Sequence, residues 1–273
     1  MKHLLILIMS VLCVAAWAKA PVKKTSNSEC SIVVLSDLHV VDPQVAKGMQ
    51  LPAGERKMLK HSAEILESTV DEILKLRPAA VLVSGDLTDR GDMASHRYVA
   101  AQLQRLNRAG IKVCVIPGNH DCGKEVDQEQ FAQLYASHGY AGAMVRDDKS
   151  LSYVTELVPG VVMLAIDING DSSGNIAWAA SEGAKAHAQG KKVMAMMHHH
   201  LVPHFVKEET LLPTSVADGR DNALNQLLDA GVRFVLTGHT HIHDAAVARP
   251  HSRTDSIVDM CTGALSGYPH PYR

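Results

Sequence analysis

Short apolar runs, each ending abruptly in small or polar residues, set the rhythm of the chain. Ser31–Ser36 (SIVVLS), Ala79–Val83 and Ile111–Ile116 are continuous and rich in β-branched side chains, the pattern of strands covered on both faces. Within Glu55–Leu76, apolar-face residues recur at Ile65, Leu66, Thr69, Val70, Ile73 and Leu74, which predicts a helix closed by Pro78. The next helix carries Val99, Leu103 and Leu106 on one face and stops at Gly110, a residue suited to the position just past a helix end. Strand, helix, strand, helix, strand predicts parallel strands with right-handed crossovers.

After Asp127 the order loosens. A helix is predicted from Asp127 to about His138, and Leu151–Leu157 and Val161–Ile166 read as strands joined at Pro159-Gly160 in an antiparallel hairpin. That makes the sheet system mixed. Asn175–Gln189 is Ala-rich and helical, ending at Gly190; Lys192–Met197 is a strand; Asp221–Asp229 is a short helix stopped by Gly231. Val232–Leu236 and Ser256–Cys261 are the last strands, while Pro43–Pro52 and the polar stretch from Leu201 to Asp218 read as loops. No repeat or heptad interrupts this single α/β pattern.

Composition changes the picture at the N terminus. Residues 1–20 combine Lys2, an apolar run from Leu4 to Ala16, and small residues at Ala16, Ala18 and Ala20. This predicts a secretory signal peptide cleaved near Ala18 or Ala20, and so a secreted or periplasmic protein. Residues 21–29 (PVKKTSNSE) read as a disordered lead-in and 30–273 as the folded domain. No second stretch is apolar enough to span a membrane. Without residues 1–20 the chain has 25 basic against 29 acidic side chains, net −4, which offers no nucleic-acid surface. Cys30, Cys114, Cys122 and Cys261 allow three full pairings in an oxidising compartment and match no zinc spacing. Cys114 and Cys261, inside strand-like runs, read as small buried hydrophobes.

The chemistry gathers at strand ends. Pro117 ends its strand, Gly118 permits a turn closed to other residues, and Asn119, His120 and Asp121 follow at once. Four other runs deliver similar groups: Asp37 with His39, Asp86, His198, and His239 with His241. Taken singly these are unremarkable, since Asp37 and Asp86 could cap turns and Asn119 could be a turn residue. Together, at the edge of an open α/β sheet where ligands bind, they indicate a metal site. Imidazole, carboxylate and amide ligands suit divalent or trivalent transition metals such as Mn, Fe, Zn, Co or Ni. Seven groups exceed the needs of one ion. They suit two ions about 3.5 to 4 Å apart sharing a carboxylate, for which Asp86 is suited, and a water that is hydroxide at neutral pH. In-line displacement at phosphorus is the natural reaction of such a pair.

The ordered set DLH, GDLTDRG, PGNHD, MHHH and GHTH, spanning Asp37 to His241, resembles the calcineurin-like metallophosphoesterase superfamily. The resemblance implies a four-layer α/β/β/α sandwich of two mixed sheets flanked by helices. It implies one metal on Asp37, His39, Asp86 and His241 and another on Asp86, Asn119, His198 and His239. It also implies that His120 is the catalytic, non-ligand histidine, acting on the phosphate or leaving oxygen, with Asp121 orienting it. The substrate would be a small phosphomonoester or phosphodiester, hydrolysed by the metal-bridging hydroxide. A cyclic-nucleotide phosphodiesterase and a non-catalytic metal-binding scaffold on the same fold are the alternatives.

The chain departs from that pattern in two places. His200 follows His199 where the family commonly has Pro, Asn or Gly, which leaves His199 and His200 as residues behind the ligands. The chain also stops at Arg273, after a turn where similar proteins continue into another strand, so either the sheet lacks an edge or the chain is truncated. His204 and His243 read as solvated loop residues, with the pocket rim as the alternative.

Overall fold

The structure is a computed structural model that describes residues 30–123, 125–205, 220–250 and 253–267. The signal-peptide and lead-in readings, and the question of the C terminus, lie outside the described residues. The first half runs β1 (Ile32–Leu35), α1 (Pro43–Lys47), α2 (Ser62–Leu76), β2 (Ala80–Val83), α3 (Met93–Arg108) and β3 (Lys112–Val115). The three strands form one sheet in the order β1-β2-β3, all parallel, with Val33 opposite Val81 and Leu82 opposite Cys114. All but Lys112 are buried, as continuous apolar runs require. Helix α2 ends where Arg77 turns left-handed at φ 51° just before Pro78. Helix α3 begins at Asp92, whose carboxylate accepts the Ser95 N–H at 2.8 Å.

The second half runs α4 (Gln128–Leu134), β4 (Val145–Arg146), β5 (Tyr153–Val158), β6 (Val161–Ala165), α5 (Ser172–Ala188), β7 (Lys192–Met196), α6 (Arg220–Asp229), β8 (Val232–Thr237), β9 (Asp244–Ala248) and β10 (Ile257–Cys261). These strands make a seven-stranded mixed sheet, β4-β5-β6-β7-β8-β10-β9. The β5–β6 hairpin is antiparallel, β6, β7, β8 and β10 are parallel, and β9 lies antiparallel on the edge. One apolar core runs through both sheets, from Val34, Leu82 and Val115 to Leu164, Ala195 and Leu236, with Leu66 and Leu103 from the helices on one side and Ile176 and Leu227 from those on the other. Two sheets between helix layers is the architecture expected from the sequence. The smaller sheet is wholly parallel; the mixing lies in the larger.

Three elements differ from expectation. Pro43–Pro52 contains the short helix α1, because Asp42 accepts the Gln44 N–H at 2.8 Å and Pro43 occupies the first helical position. The helix expected to reach His138 ends at Leu134 and gives way to a wide turn over Ala136–Tyr140, where Gly139 takes φ 125°. Strand β9 went unread because its side chains are mostly exposed and the run DAAVA has no apolar alternation. Cys30, Cys114, Cys122 and Cys261 are all free thiols, and Cys114 and Cys261 are buried as small hydrophobes.

The wide turn makes stability depend on pH. Burial pushes the His138 imidazole down to about 4, from an ordinary value of 6.5. The folded protein therefore binds fewer protons than the unfolded chain between those values. This stability is fully present above about pH 6.5 and is lost as pH falls towards 4. Between pH 7 and pH 5, urea denaturation of the wild type is expected to lose about 2 kcal/mol more than that of His138→Gln. Equal pH dependence in the two proteins would contradict the assignment.

Candidate metal centre

The carboxyl ends of β1, β2 and β3 from one sheet and of β7 and β8 from the other converge on one place. The loops there stay hydrogen-bonded beyond the strands: Asp37 N–H donates to Gly85 O at 3.1 Å, His39 N–H to Asp86 O at 2.9 Å, and Gly238 N–H to His198 O at 3.0 Å. Among the described residues, six that are not glycine take positive φ, and five of them are Asp37, His39, Asp86, His239 and His241, at 42° to 74°. The sixth, Arg77, is the helix cap already described. Backbone strain of this kind concentrates where side chains must be aimed for function. Glycines let the loops touch: a Cβ on Gly118 would overlap Asp86 Oδ1, and one on Gly85, at φ 102°, would sit 2.5 Å from His198 Nδ1.

Asp86 and Asp37 each have one carboxylate oxygen tied to the protein and the other turned inward. Asp86 Oδ1 accepts the His120 N–H at 2.9 Å, leaving Oδ2 at 3.3 Å from His198 Nε2, 3.6 Å from His39 Nε2 and 4.0 Å from His120 Nε2. Asp37 Oδ2 accepts from Ser36 Oγ at 2.7 Å and His239 N–H at 3.0 Å. Its Oδ1 is buried without a hydrogen bond, 3.4 Å from His241 Nε2 and 3.8 Å from His39 Nε2. Asn119 Oδ1 stands 3.1 Å from His198 Nε2, at the exposed mouth of the cluster. With the His239 ring centre 5.1 Å from that of His198, the seven residues expected as ligands come together, and Asp86 Oδ2 lies within 3.6 Å of both His39 Nε2 and His198 Nε2.

The electrostatics are those of a cation site. Burial alone would raise the Asp37 and Asp86 carboxyls, yet the imidazoles around them, His241 and His198 for Asp37 and chiefly His198 for Asp86, hold both below the usual carboxylate range. Burial opposes charge on His198 too, but Asp86 pushes it up to about 9. Burial and the neighbouring histidines push His199 down to about 3 and His239 to about 4, so both are neutral with a lone pair available. His39 Nε2 and His241 Nε2 face each other at 3.0 Å. Inward-facing lone pairs and an unpartnered carboxylate oxygen fit transition-metal ions.

The rings are held from behind, as metal-ligating imidazoles require. His198 Nδ1–H donates to Ser84 O at 2.8 Å, which turns Nε2 inward. His120 Nδ1–H donates to the carbonyl of Asp89 at 2.6 Å, which turns its Nε2 to the mouth. Asp121 does not orient His120, contrary to expectation. Its carboxylate is buried and accepts from Gly118 N–H at 2.8 Å, Leu87 N–H at 3.1 Å, and Thr88 N–H and Oγ1 at 2.9 and 3.0 Å. It pins two ligand loops together, because the chain turns between residues 120 and 121 and sends the side chains apart. His200 is fully buried and hydrogen-bonds Thr237 Oγ1 at 3.1 Å and Thr240 Oγ1 at 2.8 Å, bracing the loop that carries His239 and His241. His204 is not a solvated residue: its side chain is buried against Asp244 at 3.0 Å and Asp259 at 3.5 Å. His243 is exposed, as expected.

Asp89 was missed. Its Oδ1 lies 3.5 Å from His39 Nδ1 and 2.5 Å from Lys57 Nζ. It sits inside GDLTDRG, so the sequence did contain a signal; Lys57, in a polar loop, carried none. Asp89→Ala removes this carboxylate but keeps the carbonyl that holds His120. Metal affinity at the His39 site is expected to fall about tenfold, read by metal titration. Unchanged affinity would show that His39 needs no such support.

Similarity to known proteins agrees with this geometry. The description of the calcineurin-like phosphoesterases fits residues 30–243. A probable cyclic nucleotide phosphodiesterase of Vesicomyosocius okutanii is 30% identical over 91 residues, and one of Ruthia magnifica 31% over 91 residues. Each match covers 33% of this chain and 33% of the relative, so the chain spans about a third of the length of the curated relatives it matches. In fold, a dimetal phosphatase from Danio rerio superposes with a TM-score of 0.64 at 13% identity, covering 87% of this chain and 88% of that one. A purple acid phosphatase from yellow lupin superposes at 0.52 and 10% identity, covering 89% of this chain and 46% of that one. With the family match running across most of the chain, this protein belongs to the calcineurin-like phosphoesterases.

Proposed function

We propose that the protein is exported and hydrolyses a small phosphoric ester at a two-ion centre shared by Asp86, with His120 as the catalytic residue. The observation that carries this reading is the position of Asp86 Oδ2, 3.6 Å from His39 Nε2 on one side and 3.3 Å from His198 Nε2 on the other. Asp37, His39, Asp86 and His241 would hold one ion; Asp86, Asn119, His198 and His239 would hold the other. Such ions, when bound, supply positive charge for phosphate oxygens and lower the pKa of an attacking water. The chain itself supplies alignment and a proton. The Asp89 carbonyl on His120 Nδ1–H fixes the ring, so a protonated Nε2 donates to the leaving oxygen at the mouth. The N-terminal segment with Lys2 and the apolar run from Leu4 supports export. No described helix is long and apolar enough to cross a membrane.

The two probable cyclic nucleotide phosphodiesterases among its relatives favour a phosphodiester over a monoester. Bis(p-nitrophenyl) phosphate and p-nitrophenyl phosphate, each with added Mn²⁺ or Zn²⁺, separate these outcomes. The diester is expected to show the higher kcat/KM. A higher value for the monoester would reverse the preference, and no turnover of either by folded, metal-loaded protein would end the hydrolase reading. Mass spectrometry of the exported protein should find a new N terminus after Ala18 or Ala20; retention of Met1 would contradict cleavage.

A further inference from the structure

One imidazole at the centre has no place in that assignment. His199 Nε2 is buried and has no hydrogen-bond partner, which is destabilising unless something occupies it. The His199 ring centre lies 4.3 Å from that of His239 and 5.5 Å from that of His198, and the last two are 5.1 Å apart. One nitrogen from each of the three lies within 4.8 Å of the other two. Imidazoles bound to one ion through nitrogens at about 2.1 Å, at angles from a right angle to tetrahedral, hold their ring centres about 4.5–5.2 Å apart. The three separations scatter about that window.

His120 is a useful contrast. Its ring centre is 4.8 Å from that of His39, but its Nδ1 is satisfied by the Asp89 carbonyl and its side chain is 34% exposed at the mouth. His199 Nε2 has neither a partner nor access to solvent.

The geometry points to His199 as a third imidazole ligand of the ion held by Asp86, Asn119, His198 and His239, an inference that rests on the two-ion reading above. The two sites then differ in chemistry. Asp37, Asp86, His39 and His241 form a balanced oxygen–nitrogen set, whereas the second site is rich in nitrogen. Imidazole-rich sites favour zinc, nickel or cobalt over manganese.

The test is titration of chelator-stripped protein with Zn²⁺ alone and with Co²⁺ alone, the latter followed by visible absorption. Wild type, His199→Ala and His199→Gln are compared after circular dichroism has confirmed that each is folded. Wild type is expected to bind two ions. Both variants are expected to keep one affinity unchanged and to bind the other ion at least about tenfold more weakly, with an altered Co²⁺ spectrum for that ion alone. Two unchanged affinities and an unchanged spectrum in either folded variant would overturn the inference while leaving the two-ion reading intact. A wild type that binds fewer than two ions would overturn that reading and this inference with it.

Discussion

His120→Ala is expected to keep both metal ions while its turnover falls by about 10²–10⁴-fold, the usual contribution of a positioned proton donor. The separation is possible because of where the two ring nitrogens go. Nδ1 is committed to the Asp89 carbonyl at 2.6 Å, and Nε2 stands 4.0 Å from Asp86 Oδ2, further out than the histidine nitrogens expected to bind metal. The main-chain N–H of residue 120, which holds Asp86 Oδ1, survives the substitution. Asn119→Ala is the companion: it removes Oδ1, which faces His198 Nε2 at 3.1 Å, and should weaken one ion before turnover is otherwise affected. Metal content and initial rates on both variants decide the matter. If the two behave alike, the division of labour within PGNHD is wrong.

Asp86→Ala is expected to lose both ions together and to reduce turnover by at least about 10³-fold. The neighbouring carboxylates are committed elsewhere: Asp37 Oδ1 faces His241 and His39, Asp89 Oδ1 is held by Lys57 at 2.5 Å, and Asp121 is fully engaged in pinning loops. Removal of Asp86 also leaves His39 and His198 without the anion between them. Circular dichroism would establish that the variant folds, and elemental analysis would count its metal. Retention of two ions would show that Asp86 is not shared.

The residues expected as ligands were legible because each follows an apolar strand run within a few positions, so the strand pattern alone delivers them to one sheet edge. The paired strands behind them were legible for the same reason. What the sequence could not show was which way neighbouring side chains turn. His120 and Asp121 are adjacent, yet one faces the mouth and the other is buried under two loops. The orienting group for His120 proved to be a main-chain carbonyl, which leaves no trace in side-chain identity. His204 looked like a polar loop residue and is buried, because its partners Asp244 and Asp259 come from strands β9 and β10 far along the chain. Strand β9 itself was hidden by its exposure, since an edge strand without apolar alternation has no period to read.

The sharing of Asp86 by two ions is the claim on which everything else depends. Anomalous diffraction from crystals of the Zn²⁺- or Mn²⁺-loaded protein measures it most directly. Two peaks are predicted, one beside His39 and one beside His198, about 3.5 to 4 Å apart with Asp86 Oδ2 between them. A single peak, or two peaks of which one does not touch Asp86, would contradict the account.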